Sequence, residues 1–187
     1  MKAAVILGST GILLSGAISP AMAEQVGSAV AGGDLKATTA VATLAGVTLD
    51  GYNQDVTGVS TEWTITDARG TGVKWALSAS ATNLTSAAGS FDTTPRTIAV
   101  GNLSITPGTV TAEPGSDAST NIAAPLLQLS TSEQPLVSTP GESKGSYTLT
   151  PTFSLTIPAN AYRSNYAAAI GSTLLNPYIS TITFTIA

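Results

Sequence analysis

From residue 35 onward the chain is cut by turn residues into short runs that alternate apolar with polar or are rich in β-branched side chains, and none keeps a helical period over three turns. These runs are Val41 to Leu49, Trp63 to Thr66, Val73 to Ala81, Thr97 to Val100, Leu103 to Ile105, Leu126 to Leu129, Tyr147 to Leu149, Phe153 to Ile157 and Ile179 to Ile186. Pro107-Gly108, Pro114-Gly115 and Pro140-Gly141 supply turns between them. So many short runs over residues 35–187 predict one all-β domain, an antiparallel β-sandwich of the Ig-like, Greek-key type. The Thr, Ser, Gly and Pro-rich stretch from Thr109 to Asn121 reads as an exposed loop, and Ala159 to Leu175 as a short helix or a loop.

Both tryptophans lie in one stretch, Trp63 to Leu77, on two alternating segments either side of Asp67, Arg69, Gly70 and Gly72. Alternation puts Trp63 and Ile65 on one face, and Val73, Trp75 and Leu77 on one face of the second segment. A hairpin turning near Gly70 is expected to set Trp63 opposite Leu77 and Ile65 opposite Trp75. Threonine crowds the later strands (Thr148, Thr150, Thr152, Thr156, Thr181, Thr183, Thr185), as suits the solvent side of a one-sided sheet.

Residues 1–23 read as a signal peptide: Lys2, an apolar run from Ala3 to Ile18, Pro20, and the small-residue site Ala21-Met22-Ala23 with cleavage before Glu24. The rival reading is an uncleaved anchor, since the run approaches the ~18 residues that span a bilayer; the small-residue site and Pro20 favour cleavage. Residues 24–34, with Gly32-Gly33, form a flexible lead-in, and the mature chain keeps 164 of the 187 residues. Without Lys2 it carries six basic and eleven acidic residues, a net charge of −5 that excludes a basic nucleic-acid footprint. Cysteine is absent, so the domain holds together without disulfides. No second apolar segment, lipidation cysteine or sorting tail follows, and any attachment to the cell is expected to be non-covalent and extracellular.

The catalytic repertoire is narrow. With no histidine or cysteine there is no imidazole base, thiolate nucleophile or commonest metal ligand. None of Lys36, Lys74 and Lys144 has a serine three residues before it, so the SxxK spacing is missing. The carboxylates are scattered and mark no pair for glycoside hydrolysis. Asp50-Gly51-Tyr52-Asn53-Gln54-Asp55 has oxygens that suit calcium but lacks the DxDxDG spacing, and an Asn/Asp/Gly turn explains it better. The chain reads as non-enzymatic, with no cofactor.

Aromatic residues remain as candidate contacts. Six of the ten, Tyr147, Phe153, Tyr162, Tyr166, Tyr178 and Phe184, fall in the last 41 residues. Trp63, Phe153 and Phe184 sit on regular alternating strands and are expected in the core, whereas Tyr162 and Tyr166, beside Arg163 in an irregular stretch, are expected to be exposed.

Two short motifs carry a resemblance. Trp75-Ala76-Leu77 is a WxL tripeptide, and Tyr178-Ile179-Ser180-Thr181-Ile182-Thr183-Phe184-Thr185-Ile186 fits the distal pattern YxxxLTWxL, with Ile182 for Leu, Phe184 for Trp and Ile186 for Leu. The segment Leu149 to Ala161 also resembles what precedes the distal motif, so the likeness runs from Trp63 to Ala187. In this respect the chain is similar to the WxL family of cell-surface domains of Gram-positive bacteria. The resemblance implies non-covalent attachment to the cell wall with peptidoglycan as anchor, and association with other surface proteins. It points to Trp75, Leu77, Tyr178, Phe184 and Ile186 as binding residues, to which the exposed Tyr162 and Tyr166 are added. For Trp75 and Leu77, core and binding roles stay open. The alternative is a subunit of an extracellular fibre, joined by strand addition at Ile179 to Ile186.

Overall fold

A computed structural model describes residues 27–187; the signal-peptide reading of residues 1–23, and residues 24–26 of the lead-in, lie outside it. In chain order its strands are β1 (Leu35–Thr38), β2 (Gln54–Val59), β3 (Trp63–Asp67), β4 (Ala76–Ala81), β5 (Leu84–Ser86), β6 (Arg96–Ile98), β7 (Leu103–Thr106), β8 (Thr111–Ala112), β9 (Leu127–Gln128), β10 (Gln134–Ser138), β11 (Gly145–Leu149), β12 (Thr152–Ile157), β13 (Asn165–Tyr166), β14 (Leu175–Asn176), β15 (Tyr178–Ile179) and β16 (Ile182–Ile186). Among the described residues every strand pairing is antiparallel. The larger sheets run β1-β3-β11-β8, β10-β4-β16 and β2-β12-β7-β9, beside β15-β5-β6 and the pair β13-β14. The fold is all-β, as the patterning predicts, and its antiparallel sheets close on one another as a β-sandwich.

Alternation explains the core. In β3 the buried positions are Trp63, Ile65 and Asp67, and in β12 Phe153 and Leu155 turn inward between hydroxyl residues. Three sheets meet at Trp63. Its ring takes Phe184 of β16 edge-on at 4.9 Å and Phe153 of β12 at 6.2 Å, geometries in which the ring quadrupoles attract. Its indole N–H donates to the Ala40 carbonyl (2.9 Å) and the Ser60 hydroxyl (3.0 Å), so the largest side chain of the core buries no unpaired donor.

The expected hairpin over residues 63 to 77 does not form. Strand β3 pairs with β1 and β11, so Trp63 faces Leu149, and Ile65 lies between Ala37 and Tyr147. Strand β4 lies in another sheet, where Leu77 is opposite Val137 and Ile186. The cause lies in the connection. The buried Asp67 carboxylate accepts from the backbone N–H of Arg69 (3.1 Å) and, bidentately, from its Nε and Nη2 (2.9 and 3.0 Å). Arg69 Nη2 also donates to the Val73 carbonyl (2.8 Å), so this charged knot, with Gly70 at φ +70°, replaces a hairpin ladder. The chain then crosses to the second sheet, where the Trp75 indole N–H donates to the Ser143 carbonyl (3.1 Å). Val73, expected beside Trp75 on the inner face, is instead exposed within this crossing.

Val41 to Leu49, expected as a strand, is also different. Burial alternates from Leu35 to Thr39 and, after a one-residue slip at Ala40, again to Leu44, but beyond Thr38 the segment has no ladder partner and lies as an extended strap. It is held by the bonds to the Ala40 carbonyl and by Gln54 Nε2 donating to the Thr48 carbonyl (2.9 Å). Thr43 passes so close over Gly58 of β2 that a side chain there would collide with its carbonyl. The stretch from Thr109 to Asn121 is largely exposed, as expected, although it contributes β8. Ala159 to Leu175 is irregular apart from β13 and the start of β14.

Candidate functional site

The residues singled out from sequence separate into two places. In the first, β16 runs antiparallel along β4 with Ile186 opposite Leu77, Thr185 opposite Ser78 and Phe184 opposite Ala79. The pairing closes with Ala76 and Ala187, which exchange both backbone hydrogen bonds (2.8 and 3.1 Å). The tripeptide Trp75-Ala76-Leu77 and the terminal segment Ile182 to Ile186 are therefore one structural seam. Trp75 and Leu77 are buried, at 2% and 1% exposure, with the Trp75 ring against Tyr147 at 6.1 Å. Phe184 and Ile186 are partly buried on the inner face of β16. This seam holds four of the candidate residues, and it offers side-chain packing rather than open contact surface.

Tyr162, Tyr166 and Tyr178 come together in the second place. Tyr178 of β15 donates its hydroxyl to the Tyr162 carbonyl (2.9 Å), which ties the irregular segment after β12 to the sheet β15-β5-β6. Burial raises the Tyr178 hydroxyl above its ordinary pKa, so it remains a neutral donor. Tyr162 is 61% exposed and carries the Arg96 guanidinium 4.0 Å from its ring centre. Tyr166 of β13 carries Arg163 at 4.5 Å and, set in a strand, is only partly exposed. Both are cation–π stacks that stiffen rings at the surface. Arg96 of β6 is paired with Asp92 (3.0 Å), and that hydrogen bond, more than any other cause, holds the Asp92 carboxyl below its usual range. Arg96 carries no sequence signal, because it stands 66 residues before the tyrosine it covers. No local pattern announces that pairing.

Behind these rings lies a cleft of about 750 Å³ whose floor is the core itself: Leu84 of β5, Ile98 of β6, and Leu155 and Ile157 of β12. The strap residues 44–49 wall one side and the segment containing β13 to β15 the other.

The Asp50 to Asp55 stretch is a turn. Asp50 Oδ1 accepts the Tyr52 N–H (2.9 Å) with Gly51 at φ +88°, Asn53 Oδ1 accepts the Ala159 N–H (2.9 Å), and the Asp55 carboxylate accepts the Thr156 hydroxyl. The Asp50, Asn53 and Asp55 oxygens accept from separate local partners rather than converging on a point, while Gln54 Oε1 is buried without a partner. Among the described residues, no three acidic side chains gather where an ion could sit, and no helix is long and apolar enough to cross a membrane. Comparison with family models, curated proteins and solved structures finds no match to this chain.

Proposed function

We propose that this chain is a non-enzymatic surface protein of the WxL kind, exported and held non-covalently on the Gram-positive cell wall, with peptidoglycan as its anchor and other surface proteins as its company. One observation carries the reading: the two motifs on which the resemblance rests, about a hundred residues apart, are adjacent strands of one seam, with Leu77 facing Ile186. Such a seam supports reading the two motifs as one unit, since their apolar residues pack side by side in it. Contact with the wall then falls to the exposed ring of Tyr162 and the partly exposed ring of Tyr166. A Tyr ring has a flat apolar face for a sugar and a hydroxyl for its polar edge. Electrostatic adsorption contributes little, because the mature chain is negative and such walls are polyanionic.

Sedimentation with purified sacculi tests the reading. The mature protein is expected to co-sediment and to be released by denaturant without wall digestion. Protein that stays in the supernatant at every concentration of sacculi contradicts it.

A second reading, assembly by strand addition, is favoured by the free side of β16. Because Ala187, Thr185 and Thr183 bond toward β4, the N–H and C=O groups of Ile182, Phe184 and Ile186 point to the other edge, which has no strand partner among the described residues. That edge carries no charge, proline or bulge to discourage pairing. A mass that rises with concentration in sedimentation velocity runs, in the absence of sacculi, supports this second reading; a constant monomer mass excludes it.

A further inference from the structure

The cleft behind the tyrosines has a composition unlike that of the rings at its mouth. Its floor is aliphatic, from Leu84, Ile98, Leu155 and Ile157, and its walls add Leu49 and Leu175. A volume of about 750 Å³ lies within the range of small-molecule sites. Aliphatic surfaces return no hydrogen bonds, so a sugar or a peptide placed deep inside would leave hydroxyls or amides unpaired. The Tyr178 hydroxyl proton is already committed to the Tyr162 carbonyl. The polar groups that line the cleft, Thr48, Ser164 and the strap backbone, lie in its walls, so the part of an occupant that meets the floor must be hydrocarbon.

The mouth has a sign. Arg163 is the one charged residue that lines the cleft, and it has no salt-bridge partner among the described residues. Beside it, Arg96 is matched by Asp92, so these two guanidiniums and one carboxylate leave a local charge of +1 on a chain whose overall charge is negative. Stacked on Tyr166, the Arg163 guanidinium donates Nη1 to the Ser164 carbonyl (3.2 Å) and keeps its other N–H groups for a carboxylate or phosphate.

We propose that the cleft binds the acyl chain of a single anionic amphiphile, with a long-chain carboxylate as its simplest form and Arg163 receiving the head group. The chain displaces water from the Leu and Ile floor, and each buried methylene contributes until the cleft is full. Charge complementarity selects an acid over an alcohol of equal length. The site takes one monomer rather than a membrane surface, because Leu84, Ile98 and Leu155 of the floor are buried and only a chain that enters the cleft reaches them.

This inference rests on the binding role given above to the tyrosine face, but not on the wall as its ligand. The test is titration calorimetry of the purified protein with decanoate, laurate and myristate below their micelle concentrations, with lauryl alcohol as the neutral control. Saturable binding of one molecule per chain is expected, tightening about threefold or more for each added methylene until the cleft is filled. Lauryl alcohol should bind about tenfold more weakly than laurate. Arg163→Gln should remove that difference and leave the alcohol unchanged. Leu175→Trp, at a half-exposed wall position that spares the fold, should abolish both. The proposal is overturned by an absence of saturable binding, by equal affinity for laurate and its alcohol in the unaltered protein, by laurate binding that Leu175→Trp leaves intact, or by capture on anionic phospholipid vesicles without binding of monomeric laurate. Loss of sacculus binding with laurate binding retained would remove the wall reading alone.

Discussion

The β4–β16 seam and the tyrosine face use the same kinds of residue for opposite ends. In the seam, aromatic and aliphatic side chains on strict alternation face inward, and the indole of Trp75 spends its donor on the Ser143 carbonyl. On the tyrosine face the rings stand on short or irregular segments, stay partly or largely open, and the two at the mouth are held by guanidiniums instead of by packing. Trp75 and Leu77 unite two distant strands, and Tyr162 and Tyr166 are available to a partner.

Cutting into the seam should give the largest effect. Trp75→Ala removes a fully buried ring and should cost ~3 to 5 kcal/mol, with sacculus binding lost only in step with unfolding. Denaturant melts beside sedimentation check this. A Trp75→Ala protein that keeps its wild-type midpoint yet no longer binds would return Trp75 to the contact surface. Phe184→Ala should cost less, about 1 to 3 kcal/mol, because its ring is only partly buried although it meets Trp63 edge-on.

A middle-sized effect is expected at the crossing that carries the chain from β3 to β4. The Arg69 side chain, first by its hydrogen bonds, holds the buried Asp67 carboxyl below its usual pKa, against the opposing effect of burial. A group depressed in the folded state contributes stability above its unfolded value, near 4, and that contribution disappears as pH falls through the folded value. Asp67→Asn should therefore cost ~2 kcal/mol at neutral pH. Its gap to the unaltered protein should stay level from pH 5 to 8 and narrow below pH 4. Unfolding midpoints across that range give the answer, and a gap that widens in acid would contradict the assignment.

Much of this is legible in the residues. Alternation predicts the all-β class and the inward turn of Trp63, Ile65 and Phe153, and the irregular stretch around Tyr162 predicts its exposure; for Trp75 and Leu77 it leaves core and contact open, and both are buried. Alternation reports which face is buried and is silent about which strand lies alongside. Hence the strap from Val41 has a strand's pattern and no ladder, and Trp63 and Trp75 share a core without sharing a sheet. Strand β10 is hidden for another reason. Leu136 and Val137 are consecutive and both fully buried, which breaks the period, and a bulge between Pro135 and Val137 turns both inward. The cation–π lids escape linear reading as well, since Arg96 reaches Tyr162 only through the fold.

The division of labour between seam and tyrosine face is tested most directly by the double variant Tyr162→Ala, Tyr166→Ala, measured for unfolding midpoint and for sacculus sedimentation on the same preparation. Stability should stay within about 1 kcal/mol of the unaltered protein, because these rings are surface groups, while binding falls by at least about tenfold, the equivalent of ~1.4 kcal/mol. A folded double variant that sediments with sacculi as well as the unaltered protein would contradict that division.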